Sequence, residues 1–194
     1  KYGKGTVCVI RTDPKDYILK PGGDADFVSA VERLYSRNAK AGKLMYKNNF
    51  HLERGAYNVV AVVDESVSNG GYELRGKLID LFDPNLPVVN YKRVSPGEQS
   101  LTLDIDRLES RRPQVLASAS RVSHEEIGKK SYSYVAKSPA ETHNVSRVLL
   151  PRQPKSVKIG GKECLDASRW DKWSKTYLAE FENSPEGVDV RFEW

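Results

Sequence analysis

Beyond residue 43 the apolar positions fall in short runs broken by turn residues, and this pattern sets the fold class. Residues 57–64 (YNVVAVVD) are rich in β-branched side chains and give way to a polar stretch at 66–71. Residues 72–81 alternate loosely, with Leu74, Leu78 and Leu81 among polar neighbours. Similar runs occupy 88–94, 99–105, 115–122, 131–136, 145–150, 156–159, 177–181 and 188–194. Asn69-Gly70-Gly71, Asp83-Pro84, Pro96-Gly97, Gly128, Pro139, Pro151, Gly160-Gly161 and Ser184-Pro185-Glu186-Gly187 punctuate them. Short strands at this spacing predict a mainly β protein, an antiparallel β-sandwich.

The first part of the chain reads differently. Residues 5–11 (GTVCVIR) form a continuous apolar run, the pattern of a strand covered on both faces. Pro14, Pro21 and Gly22-Gly23 then interrupt the chain. Residues 24–41 predict a helix: Asp24 or Asp26 can cap it, and Phe27, Val31, Leu34 and Tyr35 fall on one face. Lys40 and Gly42 suit its C-terminal end. The expected partition is a strand-helix segment over 1–43, the tail of a preceding α/β domain, and a β-sandwich module over 44–194. Residue 1 is Lys and a core-like strand follows almost at once, which fits a piece of a longer protein. Ser110-Arg111-Arg112-Pro113 is either a seam or an exposed loop.

Composition narrows the class without naming a function. An apolar fraction of 39% with 29% charged residues is that of a water-soluble globular protein. The 31 Lys+Arg and 26 Asp+Glu leave a formal charge of +5, but Arg111-Arg112, Lys129-Lys130 and the basic residues of 152–158 are short and separate. Nucleic-acid binding needs a clustered stripe, so the reading is solvated surface charge and no nucleic-acid partner. No apolar stretch approaches the roughly 20 residues of a membrane span. Cys8 and Cys164 lack CxxC spacing; Cys8 lies in an apolar run and is expected to be a buried, reduced thiol.

The residues offer little chemistry. Asp64-Glu65, Asp80 with Asp83, and Asp104 with Asp106 are the carboxylates that could supply the acid and base of glycoside cleavage, which must stand about 5 to 9.5 Å apart. Asp, Ser and Gly beyond a strand are also what turns are built from, and Asp83-Pro84-Asn85 reads as a turn in which Asp83 accepts a backbone hydrogen bond. His51, His124 and His143 are far apart and form no zinc motif. There is no GxSxG elbow and no phosphate cradle. No catalytic residue, metal ligand or cofactor is assigned. Trp170, Trp173 and Tyr177 are spaced closely enough to offer a stacking platform for sugars, with core packing as the alternative. Asn144-Val145-Ser146 is a sequon inside an expected strand.

Some of the wording of the chain is more specific than its periodicity. The stretch 52–66 (LERGAYNVVAVVDES) resembles a segment that follows the catalytic barrel in certain large bacterial glycoside hydrolases. Residues 78–88 (LIDLFDPNLPV), 96–99 (PGEQ), 181–188 (FENSPEGV) and 2–7 (YGKGTV) are similar to parts of the same region. A (β/α)₈ barrel needs about 250 residues, so none fits beside these strands. The resemblance implies a non-catalytic accessory β-sandwich, with the parent enzyme's catalytic domain as partner and glycans as possible ligands. It favours a periplasmic or extracellular setting. The alternatives are a carbohydrate-binding module using Trp170, Trp173 and Tyr177, and a small glycoside hydrolase using Asp64, Glu65, Asp80 or Asp83.

Overall fold

The computed structural model describes residues 2–64 and 69–194. The chain divides into two compact units, Lys1–Lys47 and Asn48–Trp194. In the first, Asp13 caps α1 (Pro14–Leu19) by accepting from the Lys15 amide at 2.8 Å. Pro14 sits at the first helical position, where a missing N–H costs nothing. Helix α2 (Gly23–Glu32) runs on into a π-helical turn at Arg33–Asn38. Glycine is required at 23: a Cβ there would lie 1.9 Å from the Tyr17 carbonyl oxygen. The expected helix at 24–41 is therefore present, with its last turns widened. The expected strand at 5–11 is not: Tyr2 and Gly5 make one isolated bridge, and the residues after them pair with nothing in the unit. A strand needs a ladder partner for its N–H and C=O groups, and an apolar run alone does not supply one. Cys8 is accordingly exposed instead of buried. Of this unit's described residues only Gly23 is buried, and Phe27 and Tyr35 each remain 40% exposed.

The second unit is mainly antiparallel β. Its strands are β1 (Asn49–Arg54), β2 (Tyr57–Val62), β3 (Tyr72–Asp80), β4 (Val88–Val94), β5 (Gln99–Asp104), β6 (Gln114–Ser118) and β7 (Arg121–Ile127). They continue with β8 (Ser131–Lys137), β9 (His143–Leu149), β10 (Ser156–Ile159), β11 (Lys162–Glu163), β12 (Trp170–Asp171), β13 (Thr176–Glu182) and β14 (Val188–Glu193). Among the described residues they form three sheets, ordered β1-β2-β5-β3-β4 (front), β12-β13-β9-β6 (middle) and β11-β10-β14-β8-β7 (back). Ser110 to Pro113 is the loop that carries the chain from front to middle sheet.

The three sheets are layered. Tyr132, Tyr134 and Ala136 of β8, Val190 and Phe192 of β14 and Val157 of β10 pack on Val148, Tyr177 and Ala179 of the middle sheet. From its other face, Leu149 and Leu116 pack against Ile79, Leu86, Leu103 and Ile105 of the front layer. The middle strand β9 is buried at every position from Ser146 to Leu149, the pattern of a strand covered on both faces. Strand β8 alternates between buried Tyr132, Tyr134 and Ala136 and partly exposed Ser131, Ser133 and Val135, because only one of its faces is covered. A third cluster (Val60, Val62, Leu74, Leu78, Val94) lies on the other face of the front sheet from Ile79 and Leu103. That sheet coils enough for Tyr72 on β3 to reach His51 on the edge strand β1, ring centroids 5.0 Å apart.

Phe192 is fully buried, and its ring meets those of Tyr132, Tyr134 and Tyr177 at 5.5–6.4 Å. It joins back and middle sheets at their centre. Phe192→Ala is expected to cost about 3–5 kcal/mol, read as a lowered urea midpoint with unchanged slope.

Candidate functional site

The front and middle sheets meet along a seam that leaves one groove. Its inner end is fixed by Arg147, which sits on the front-facing side of β9 between Val145 and Leu149 and is itself buried. Nε and one terminal nitrogen donate to the Leu86 carbonyl at 3.0 and 2.7 Å, tying the β3–β4 connection to the middle sheet. Burial pulls the guanidinium pKa down, and Asp171 and Glu180 oppose that pull. Arg147 was not singled out in the sequence, where one arginine between valines and leucines looks like an outward-facing strand residue.

The groove has a volume of about 660 Å³, and Tyr57, Leu81, Leu116 and Val145 supply its apolar lining. Asp83 and His143 are its ionisable residues among those described. Both are engaged: Asp83 Oδ1 accepts from the Asn85 amide at 2.9 Å and from its side chain at 3.1 Å, and His143 Nδ1 lies 3.0 Å from Glu182 Oε1 across β9 and β13. The Asp83 turn takes the form the sequence predicts. Tyr57 leads from the groove onto an open apolar stripe. The register pairs Arg54 with Tyr57, Leu52 with Val59 and Phe50 with Ala61, which places all six on one side of the sheet. Phe50 is 71% and Leu52 60% exposed.

The other candidate carboxylates are held apart by separate structural tasks. Asp80 pairs with Lys92 and accepts from the Phe82 amide. Asp104 caps the 3₁₀ turn Ile105–Arg107 through the Asp106 amide at 3.0 Å, and Asp106 takes Lys77 and Arg111. Asp64 lies against the Gly97 turn, and Glu65 falls outside the described residues. His51 and His124 stand on different sheets. Among the described residues, no group of three or more His, Cys, Asp or Glu could hold a metal ion. No described helix is long and apolar enough to cross a membrane.

The three aromatics expected to form a sugar platform are separated in depth. Tyr177 is 1% exposed and belongs to the core between middle and back sheets, so its ring cannot stack on a ligand. Its hydroxyl accepts from the Asp166 amide at 3.0 Å, and burial raises its pKa. Trp170 packs against the same core. Trp173 is 47% exposed, with Lys77 Nζ 5.7 Å from its ring centroid. The sequon Asn144 is fully buried, its amide donating to Ser146 Oγ at 2.9 Å.

No family model, curated protein or solved structure matches this chain. Its chemistry is read from the site alone. The groove sets no two carboxylates facing each other, and its apolar wall continues onto open surface.

The difference in depth among the aromatics is measurable. Tyr177→Ala is expected to cost about 3–5 kcal/mol, whereas Trp173→Ala should change stability by less than about 0.5 kcal/mol. Thermal denaturation of the two variants side by side checks this.

Proposed function

We propose that this chain is a non-catalytic accessory β module of a carbohydrate-active enzyme, shielding or extending that enzyme's catalytic domain. The observation that carries this reading is the apolar stripe of Phe50, Leu52, Tyr57 and Val59, open on the front sheet at β1 and β2 where the middle sheet no longer covers that face. Such a surface on a soluble protein marks a place where another surface belongs. The occupant in this reading is the catalytic domain of the parent enzyme. The first unit supports it in the same way: its helices carry Phe27, Val28 and Tyr35 on the outside and bury little of their own. The scattered carboxylates support the non-catalytic half, since glycoside cleavage needs two of them across one substrate. The tie to carbohydrate rests on the likeness of residues 52–66 and 78–88 to the region behind glycoside hydrolase barrels.

The test reads the size of the natural product. An antibody raised against this chain, applied to extracts of the source cells, is expected to stain a polypeptide well above 21.8 kDa. The purified chain alone is expected to leave a panel of aryl glycosides intact. A natural product of 21.8 kDa, or hydrolysis by the chain alone, overturns the reading.

A further inference from the structure

We infer that Lys129, Lys130, Lys155 and Arg191 form one pocket for the acid groups of an anionic oligosaccharide, with Trp194 as its apolar wall. The ligand class rests on the carbohydrate reading above; the pocket itself does not. In sequence these cations are far apart, and they look like unrelated surface charge. The back sheet gathers them. Gly128 closes the β7–β8 turn by donating to Ser131 at 2.9 Å, presenting Lys129 and Lys130 at its tip. The Trp194 amide donates to the Lys130 carbonyl at 3.1 Å. The Lys155 amide donates to the Glu193 carbonyl at 2.6 Å. Three distant segments are thus stapled by backbone around a cavity of about 470 Å³.

The charge balance inside that cavity points to an anion. Four cations face one side-chain carboxylate, Glu193, which Arg191 Nε already holds at 2.8 Å. Among the described residues Lys129, Lys130 and Lys155 form no ion pair. Like charges held together around a concave surface repel, and a bound anion relieves that repulsion. The cavity falls within the range of about 300–1,000 Å³ typical of small-ligand sites, larger than one inorganic anion fills. Trp194 is partly buried against the core and also borders the pocket. A flat ring covers the C–H face of a sugar at low entropic cost, while the lysines take its acid groups. Nucleic acid would need a track of charge, and this is a single concavity.

Isothermal titration of the full chain at low salt tests the assignment. The ligands are tetragalacturonate, a chondroitin sulfate tetrasaccharide, neutral cellotetraose, inorganic phosphate and a single-stranded DNA oligonucleotide. Binding of the uronate, or of the sulfated sugar that carries carboxylates and sulfates together, is expected. Cellotetraose should not bind. Lys129→Gln/Lys130→Gln/Lys155→Gln should weaken the acidic sugar at least about tenfold, with the thermal midpoint unchanged because the stapling bonds are backbone. Lys43→Gln/Lys172→Gln should leave binding intact. No binding of either acidic sugar, equal binding of cellotetraose, phosphate bound as tightly as the sugar, tighter binding of DNA, or affinity untouched by the triple variant would each overturn the proposal. Phosphate binding without sugar binding removes the ligand assignment and leaves the accessory role to the size of the natural product. A natural product of 21.8 kDa removes that role and leaves a measured sugar affinity standing.

Discussion

The fold depends on a middle sheet that has no wet face. Once β9 and β13 are covered by the back sheet on one side and the front sheet on the other, both side-chain rows must be accommodated without water. On the back side this is met by Val148, Tyr177 and Ala179 against Phe192 and the β8 tyrosines. On the front side it is met by Leu149 and Leu178, and the same row holds a buried charge, Arg147. A guanidinium in that position is tolerable because the Leu86 carbonyl takes two of its N–H groups and Asp171 and Glu180 supply opposing charge. A buried polar group with partners fixes one arrangement where an apolar one would accept several, since leaving it unpaired costs about 1–3 kcal/mol or more. In this way one arginine sets where the β3–β4 connection rests on the middle sheet, and hence where the groove lies.

The same arrangement explains why the seam offers so little chemistry. The turns around it are built from side chains that bond their own backbone. Asp83, Asp104, Asp166 and Asp171 each accept from an amide two residues on. A carboxylate occupied in a turn is fixed in place and faces its own loop. Catalytic carboxylates need the opposite arrangement, two groups from different elements aimed into a common space.

Much of this was legible in the sequence because strands with one wet face write a period of two. The runs at 88–94 and 156–159 match β4 and β10, and those at 72–81, 99–105, 131–136 and 177–181 match their strands to within a residue or so. The single run expected at 115–122 is in fact the body of β6 and the start of β7, whose turn at Ala119 and Ser120 carries neither Gly nor Pro. β1 went unread because NFHLER alternates with an exposed apolar row, so its polarity resembles a loop. The run at 5–11 failed for the reverse reason: its composition suits a strand, but hydrogen-bond partners come from elsewhere in a fold and leave no local trace. Among the site residues, the Asp83 turn was legible from its Asp-Pro-Asn wording. The depth of Tyr177 was not, since an aromatic four residues from a tryptophan reads the same whether it points inward or outward.

The back and front sheets differ in what they leave open. The back sheet turns Ser133, Lys158, Asp189, Arg191 and Glu193 outward, a polar surface suited to water. The front sheet leaves Phe50, Leu52, Tyr57 and Val59 open on the same face that carries Leu103 and Ile79 onto the middle sheet, beyond the reach of that contact. The front sheet uses both faces: Val60, Val62, Leu74, Leu78 and Val94 cluster on one, and the other covers the middle sheet at β3 and β5 and is open at β1 and β2. A scatter of single exposed apolar residues needs no explanation, but a contiguous row along two paired strands does. The edge beside it adds weight: β1 is the outermost strand of its sheet, and an exposed apolar edge invites non-specific pairing unless something covers it. The stripe is therefore the uncovered end of a face whose other end, at Leu103 and Ile79, is packed on the middle sheet.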